Sequence, residues 1–296
     1  MYDRFAFEQG GHFFCKKVGE NLNQNWIVEN LNNAFSTWNG KLGELWGLVT
    51  TGPQTFKGGA VWSVMQTLHN GMVGIGYALV VLFFAISLCK NTMNFHELKR
   101  PEAAIHYLIR FVAAKALVGY GMDIMLNVFS ICNGIVTDMA NSMGGISEAM
   151  VSLPAEMQTA IENVGFLASI PLWLITILGS LFITVLSFVM ILTVYGRFFR
   201  LYMYTALAPL PLAAFAGEST QSVGISFLKS YVGVCLEGAV IVLACVIYSA
   251  FVSTPTVISG EATTIVWSYL AETVFNMLVL VGLIKGSDRI IHEMMG

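Results

Sequence analysis

Charge is what this sequence has least of. Only 11% of its 296 residues are Asp, Glu, Lys or Arg, against about a quarter in ordinary soluble domains. That is too little to cover a water-facing surface. The charges also nearly cancel, 15 basic against 18 acidic for a net of −3, which excludes a broadly basic nucleic-acid-binding domain. Cysteine is sparse too: Cys15, Cys89, Cys132, Cys235 and Cys245 are an odd, scattered set with no CxxC pair, so neither a disulfide framework nor a zinc site is indicated. Four of them lie in or beside apolar segments, where a thiol behaves as a small hydrophobe. The five histidines are dispersed, which argues against a metal cluster. Walker A, GxSxG and dinucleotide glycine motifs are missing. His292-Glu293 starts like the HExxH of zinc proteases, but Gly296 stands where the second His would be. No catalysis and no cofactor are therefore expected. The first residues lack a basic start followed by a continuous apolar core, so no cleavable leader is expected either.

What the chain does contain is apolar: 56% hydrophobic residues and a mean hydropathy of +0.69. This composition predicts an all-α integral membrane protein, with most of its surface facing lipid. Residues 1–68 differ from the rest, carrying Arg4, Lys16, Lys17, Lys41, Lys57, five acidic residues and many Asn. Within them Trp26, Ile27, Leu31, Phe35, Trp38, Leu42, Leu45, Trp46 and Val49 recur at spacings of three and four, one apolar stripe on a helix. Three Trp on that stripe suit a membrane–water interface; the alternative is a helix packed on the protein's own core. Residues 1–68 are taken as an N-terminal amphipathic, extracytoplasmic or interfacial region, and residues 69–296 as a polytopic membrane domain. Spans are predicted near 71–89, 105–133, 166–194, 225–252 and 264–284, each long enough for a bilayer core. Segment 201–216 is short and holds Pro209 and Pro211, which remove backbone donors. Such backbone is tolerated at membrane depth only where protein or water satisfies it, so the segment is read as re-entrant or broken.

The placement of charge sets the orientation. Loop 90–102 carries Lys90, Lys99 and Arg100 and is expected to be cytoplasmic. Loop 137–164 carries Asp138, Glu148, Glu156 and Glu162 without a basic residue and is expected outside. A loop at 196–200 with Arg197 and Arg200 returns inside, 253–263 holds only Glu261, and the C-terminal tail has Lys285 and Arg289. Five crossings then place the N-terminus outside and the C-terminus in the cytoplasm.

Polar residues inside the spans are the candidate functional groups: Arg110, Lys115, Asp123, Glu237 and Glu272. Intramembrane charge usually faces a bundle interior or a water-filled cavity. On one straight helix Lys115 and Asp123 would lie within about 80° of each other but about 12 Å apart along the axis, so each needs another partner. Glu237 and Glu272 are candidate partners for Lys115 or Arg110, while Arg110 and Lys115 can alternatively snorkel to head groups. Gly71, Gly74, Gly76, Gly119 and Gly121 read as close-packing positions between helices rather than hinges.

The run Gly196-Arg-Phe-Phe-Arg200-Leu-Tyr-Met-Tyr-Thr-Ala-Leu-Ala-Pro209-Leu-Pro211-Leu-Ala resembles the basic and "ALAPLPLA" signature of TrbL-like proteins, polytopic membrane-channel components of type IV secretion and conjugation systems. The stretch from Phe95-His-Glu-Leu-Lys99-Arg100 through Ile105-His-Tyr-Leu-Ile-Arg110-Phe-Val-Ala-Ala-Lys115 is similar to the form found in conjugative elements of Gram-positive bacteria. The resemblance spans roughly 70–285. It implies an outside N-terminus, about five crossings, and a cytoplasmic-membrane subunit of a conjugative apparatus that contributes to the path for DNA–relaxase export. Its partners would be ATPases, a coupling protein and scaffold proteins, further copies of itself, transferred single-stranded DNA and membrane lipid. On this reading Lys99, Arg100, Arg197 and Arg200 are cytoplasmic basic contacts for phosphates or acidic partners, and Pro209 and Pro211 mark a gate or translocation element. A small-solute transporter or ion channel, and a purely structural scaffold of the secretion machine, are the competing readings.

Overall fold

The computed structural model describes residues 3–92, 101–142, 150–162, 164, 166–252 and 262–295. All regular structure among them is helical: α1 (Asp3–Thr50), α2 (Ala60–Thr92), α3 (Pro101–Gly119), α4 (Gly121–Ser142), α5 (Ala155–Glu162), α6 (Phe166–Leu207), α7 (Pro209–Ala213), α8 (Gln221–Val252) and α9 (Ala262–Met295). Short 3-10 turns sit at Phe56–Gly59 and Ala214–Ala216. Four helices are long and apolar enough to cross a membrane, and α3 with α4, bent by 72°, make a fifth if taken as one span. The all-α membrane architecture with about five spans is thus present. Lys99, Arg100 and Glu261 lie outside the described residues, as do 143–149 with Glu148.

Three details depart from expectation. The predicted loop at 196–200 does not form, because α6 continues unbroken through Arg197 and Arg200 to Leu207. The break expected over 201–216 is confined to the stretch after it, where Pro209 and Pro211 lack the amide protons that would extend the hydrogen-bond ladder. The predicted straight helix over 105–133 is instead two helices meeting at Tyr120. The relative placement of Lys115 and Asp123 worked out for a single straight helix therefore does not apply.

The chain divides into two compact units, each drawn from several segments. The first comprises residues 1–46, 144–192 and 244–285. Here the apolar stripe of α1 faces the protein itself: Ile27, Leu31, Phe35, Trp38, Leu42 and Leu45 are all buried. Phe35 meets Tyr269 of α9 edge-on at 6.5 Å, and Trp38 lies 6.3 Å from Tyr248 of α8. Polar links pin the register. Asn30 Nδ2 donates to Ser180 Oγ at 3.1 Å, while Asn39 both donates to the Val151 carbonyl and accepts from its N–H at 2.8 and 2.9 Å.

The second unit comprises residues 47–143, 193–243 and 286–296. Its core joins Val80, Val118, Met125, Phe129, Leu201, Leu212 and Tyr231, with α7 packed against α2 and α3. Where lipid replaces water, apolar burial gains little and close van der Waals contact decides helix association, so the glycines matter. A Cβ at Gly76 would lie 2.9 Å from Val118 Cγ1 and 3.0 Å from both Cβ and the carbonyl oxygen of Pro209. Gly119 meets the Tyr77 hydroxyl at 2.8 Å and Gly121 meets Leu212 Cδ1 at 3.2 Å on the same construction. These three are close-packing positions, whereas Gly71 and Gly74 face open space. Gly119 and Gly121 also flank the bend, which their packing role did not announce.

Gly76→Ala is expected to destabilise the protein by about 1–3 kcal/mol through overpacking, while Gly74→Ala is neutral or slightly stabilising. Thermal unfolding of the detergent-purified variants checks this; equal behaviour of the two would remove Gly76 as the α2–α7 contact.

Candidate intramembrane polar site

A helix leaves its last four carbonyls without intrahelical partners, and α1 ends at Thr50 just before Gly52 and Pro53. Side chains from other helices take up these acceptors. Arg197 of α6 donates through Nη1 to the Val49 carbonyl at 3.4 Å and Asn133 of α4 through Nδ2 to Thr50 at 3.3 Å; just beyond the helix end the Tyr202 hydroxyl donates to the Pro53 carbonyl at 2.8 Å. A cation at a helix C-terminus also meets the negative end of the macrodipole. The connecting turn is clamped in the same place: Phe56 stacks on Phe198 at 4.0 Å, and Lys57 Nζ lies 5.0 Å from the Tyr195 ring centre. Gly58 and Gly59 supply the positive φ angles of 72° and 78° that the turn needs.

Arg197 is 1% exposed, so it is no cytoplasmic surface contact of this chain. Its Nε and Nη2 donate to the carbonyls of Val234 and Cys235 on α8 at 3.3 and 3.1 Å. The guanidinium lies against Gly238, whose Cβ would fall 2.8–2.9 Å from Nη1, Cζ and Nη2. The planar fork is what allows one side chain to serve three carbonyls, a task an ammonium point charge does less well.

One turn on, Arg200 reaches the buried carboxylate of Glu237, with Nη2 2.7 Å from both oxygens, and pairs through Nη1 with Asp288. Ser287 Oγ donates to Glu237 Oε1 at 3.0 Å. A lone buried carboxylate costs several kcal/mol, which a well-placed partner offsets. This network ties α6, α8 and α9 in one place. The partner expected for Glu237 was Lys115 or Arg110; the structure supplies Arg200 instead, because α6 stays helical and presents Arg197 and Arg200 three residues apart on one face.

Arg110 points to Gln221, with Nη2 3.2 Å from Oε1, and to Glu218 at 3.9 Å. Lys115 is exposed and has no hydrogen-bond or ion-pair partner among the described residues. Glu272 is half-buried on α9 in the first unit. Pro209 is buried and Pro211 half-buried, and the backbone near them is satisfied locally, with the Leu212 N–H donating to Ala208 at 3.1 Å.

Asp123 is exposed at the start of α4 and lines a hollow of about 540 Å³ with Gln54, Asn127, Ser130 and Asn133. Along α4, Asp123, Asn127, Ser130, Gly134, Thr137, Asp138 and Asn141 fall on one stripe about 100° wide at 100° per residue. All are exposed except the half-buried Thr137. Sequence reasoning singled out Asp123 alone; the polar recurrence at i, i+4 and i+7 was visible but unused. Buried His69, whose Nδ1 lies 2.7 Å from the Thr205 carbonyl, and Tyr231, which donates to Met125 at 2.8 Å, were also missed, since backbone acceptors leave no pattern in sequence. Among the described residues no group of three or more His, Cys, Asp or Glu is placed to hold a metal.

Residues 38–209 match the family model described as TrbL/VirB6 plasmid conjugal transfer like protein. The match takes in the end of α1, its capping residues and the helices through Pro209, and it stops before α8. No curated protein and no solved structure matches the chain.

Removing one side of the buried pair should cost more than removing both. Arg200→Gln is expected to destabilise by about 3 kcal/mol, because it leaves Glu237 buried without its cation, whereas the double change Arg200→Met with Glu237→Leu should cost less than Arg200→Gln alone. Denaturant unfolding in detergent measures both; strictly additive losses would show that the two groups are not coupled.

Proposed function

The chain belongs to the TrbL/VirB6 plasmid conjugal transfer-like family, and we propose that it is the multi-span subunit of a conjugative type IV secretion apparatus in a bacterial cytoplasmic membrane. Several copies would assemble with the system's ATPases, coupling protein and scaffold proteins. Together they would contribute to the path by which single-stranded DNA and its relaxase leave the cell. The N-terminus would lie outside and the C-terminal tail in the cytoplasm.

The observation that carries this reading is the polar stripe of α4. A carboxylate and two or more amide or hydroxyl groups, exposed on a membrane helix, cannot be left against lipid without a large cost. Water or another protein surface has to face them. A stripe running the length of the helix suits the wall of a hydrated passage between copies better than a compact binding site. Lys115, exposed on α3, adds a cation on which transferred phosphates can make a non-specific, salt-sensitive contact. Arg197, Arg200 and Glu237 serve differently on this reading: they hold the helices that present the stripe.

Single cysteines introduced at 123, 127, 130 and 134 are expected to react with a membrane-impermeant maleimide in cells carrying the assembled system, while cysteine at Ile131 or Ile135, on the apolar flank of the stripe, stays unreacted. Uniform protection of all six would place α4 against lipid or protein and remove the hydrated passage. A photo-crosslinker at Lys115 or Asn127 should then capture transferring DNA. Repeated absence of DNA adducts at normal expression would favour the scaffold role, and solute flux by the purified protein alone in liposomes would favour a small-solute channel.

A further inference from the structure

Ser222, Ser226 and Ser230 recur every fourth residue on α8, a spacing that keeps them on one side of the helix, and Lys229 and Gly233 lie on the same side. Facing them from α9 are Asp288, Ile291 and His292, also at helical spacing. The two faces enclose a hollow of about 260 Å³. Gly233 allows the close approach at its floor, since a Cβ there would lie 2.9 Å from Ile291 Cγ2.

The donors lining this hollow are unused. On α6 the hydroxyls of Thr176, Ser180, Thr184 and Ser187 bond back to a carbonyl three or four residues earlier. By contrast, the hydroxyls of Ser222, Ser226 and Ser230, the Lys229 ammonium and the His292 ring make no hydrogen bond or ion pair among the described residues. The carboxylate at the edge, Asp288, is already paired with Arg200. A cation, three hydroxyls and an imidazole N–H without acceptors call for an anionic ligand rich in oxygen. The lining also carries apolar side chains, Ile225, which is 41% exposed, and Met295 at the end of α9, which a soluble anion would leave bare. Basic pockets between transmembrane helices commonly receive phospholipid head groups.

We propose that the α8–α9 hollow binds a phosphate group, and that its source is the head group of an anionic phospholipid. Lys229 is the ionic anchor, the serine hydroxyls and His292 supply hydrogen bonds, and an acyl chain lies along Ile225 and Met295. The site is separate from the proposed α4 passage and does not depend on it. It would hold the end of α9, and with it the Asp288 side of the Arg200 network, against the membrane surface.

Native mass spectrometry of the full chain in a non-ionic detergent, titrated with phosphatidylglycerol or phosphatidylcholine, tests this. Wild type should retain phosphatidylglycerol preferentially, and Lys229→Gln should weaken that retention about fivefold, the usual worth of one basic residue at an anionic lipid surface. Adding Ser226→Ala and Ser230→Ala should abolish the preference at an unchanged elution volume. Lys285→Gln, which removes the same charge elsewhere on α9, should have no effect. Equal retention by Lys229→Gln and wild type, or an equal loss in Lys285→Gln, would overturn the site. Displacement of the lipid by millimolar inorganic phosphate would overturn the lipid as its source.

Discussion

The second unit is organised around the unpaired carbonyls at the end of α1. In water such acceptors can be left to solvent; within a chain this poor in charge they have to be met by protein. Arg197 and Asn133 meet them and Tyr202 takes the Pro53 carbonyl just beyond, which brings α6 and α4 to that point. Because the Arg197 guanidinium also reaches two carbonyls of α8, one side chain fixes α1, α6 and α8 together. A methyl group on the glycine beneath it, Gly238, would push the guanidinium out of this position. Burying a guanidinium costs several kcal/mol, so this arrangement is tolerable only while all three acceptors stay in place, and that condition makes the local geometry specific.

The ion pair one turn later follows from the same geometry. Once α6 is held by Arg197, Arg200 projects from the same face toward Glu237 and Asp288. The carboxylate of Glu237 is then neutralised by the basic run that the sequence suggested was a cytoplasmic loop. The short segment after Leu207 is a consequence as well: with α6 anchored, Pro209 and Pro211 end the helix and turn the chain into the groove left open by Gly76. The prolines are packed into the helix bundle, an arrangement that accounts for their burial without requiring them to move.

Much of this was legible in composition and periodicity, and the limits have physical causes. The spans, the apolar stripe of α1 and the packing role of Gly76, Gly119 and Gly121 could be read because each depends on residue size or polarity at regular spacing. The continuity of α6 could not be read, since two arginines after a long apolar run look like a loop when the groups that neutralise them are distant in sequence. The partner of Glu237 was misassigned for the same reason. The 72° bend at Tyr120 left no proline to announce it. Backbone acceptors, which hold Arg197, His69, Tyr202 and Tyr231, carry no sequence signature at all. The polar stripe of α4 is the exception: its spacing was present in the sequence, and attention to charge alone passed over the uncharged Asn127, Ser130 and Asn141.

The two sets of polar groups therefore differ in a way that bears on function. Arg197, Arg200 and Glu237 are matched within the chain, donor to acceptor and charge to charge, so further copies would add nothing to them. Asp123, Asn127 and Ser130 on α4 look outward and, like Lys115, have no partner among the described residues. A membrane protein can leave such groups open only if something outside the single chain completes them, because lipid tails offer no hydrogen bonds. On the proposed reading, self-association around the α4 face, with water retained between copies, would complete them at the least cost. A dry interface would instead need a partner whose donors and acceptors match Asp123, Asn127 and Ser130 one by one. The hydrated arrangement tolerates a passing polymer with many charges, since nothing along the stripe has to be broken and remade for each phosphate that moves by.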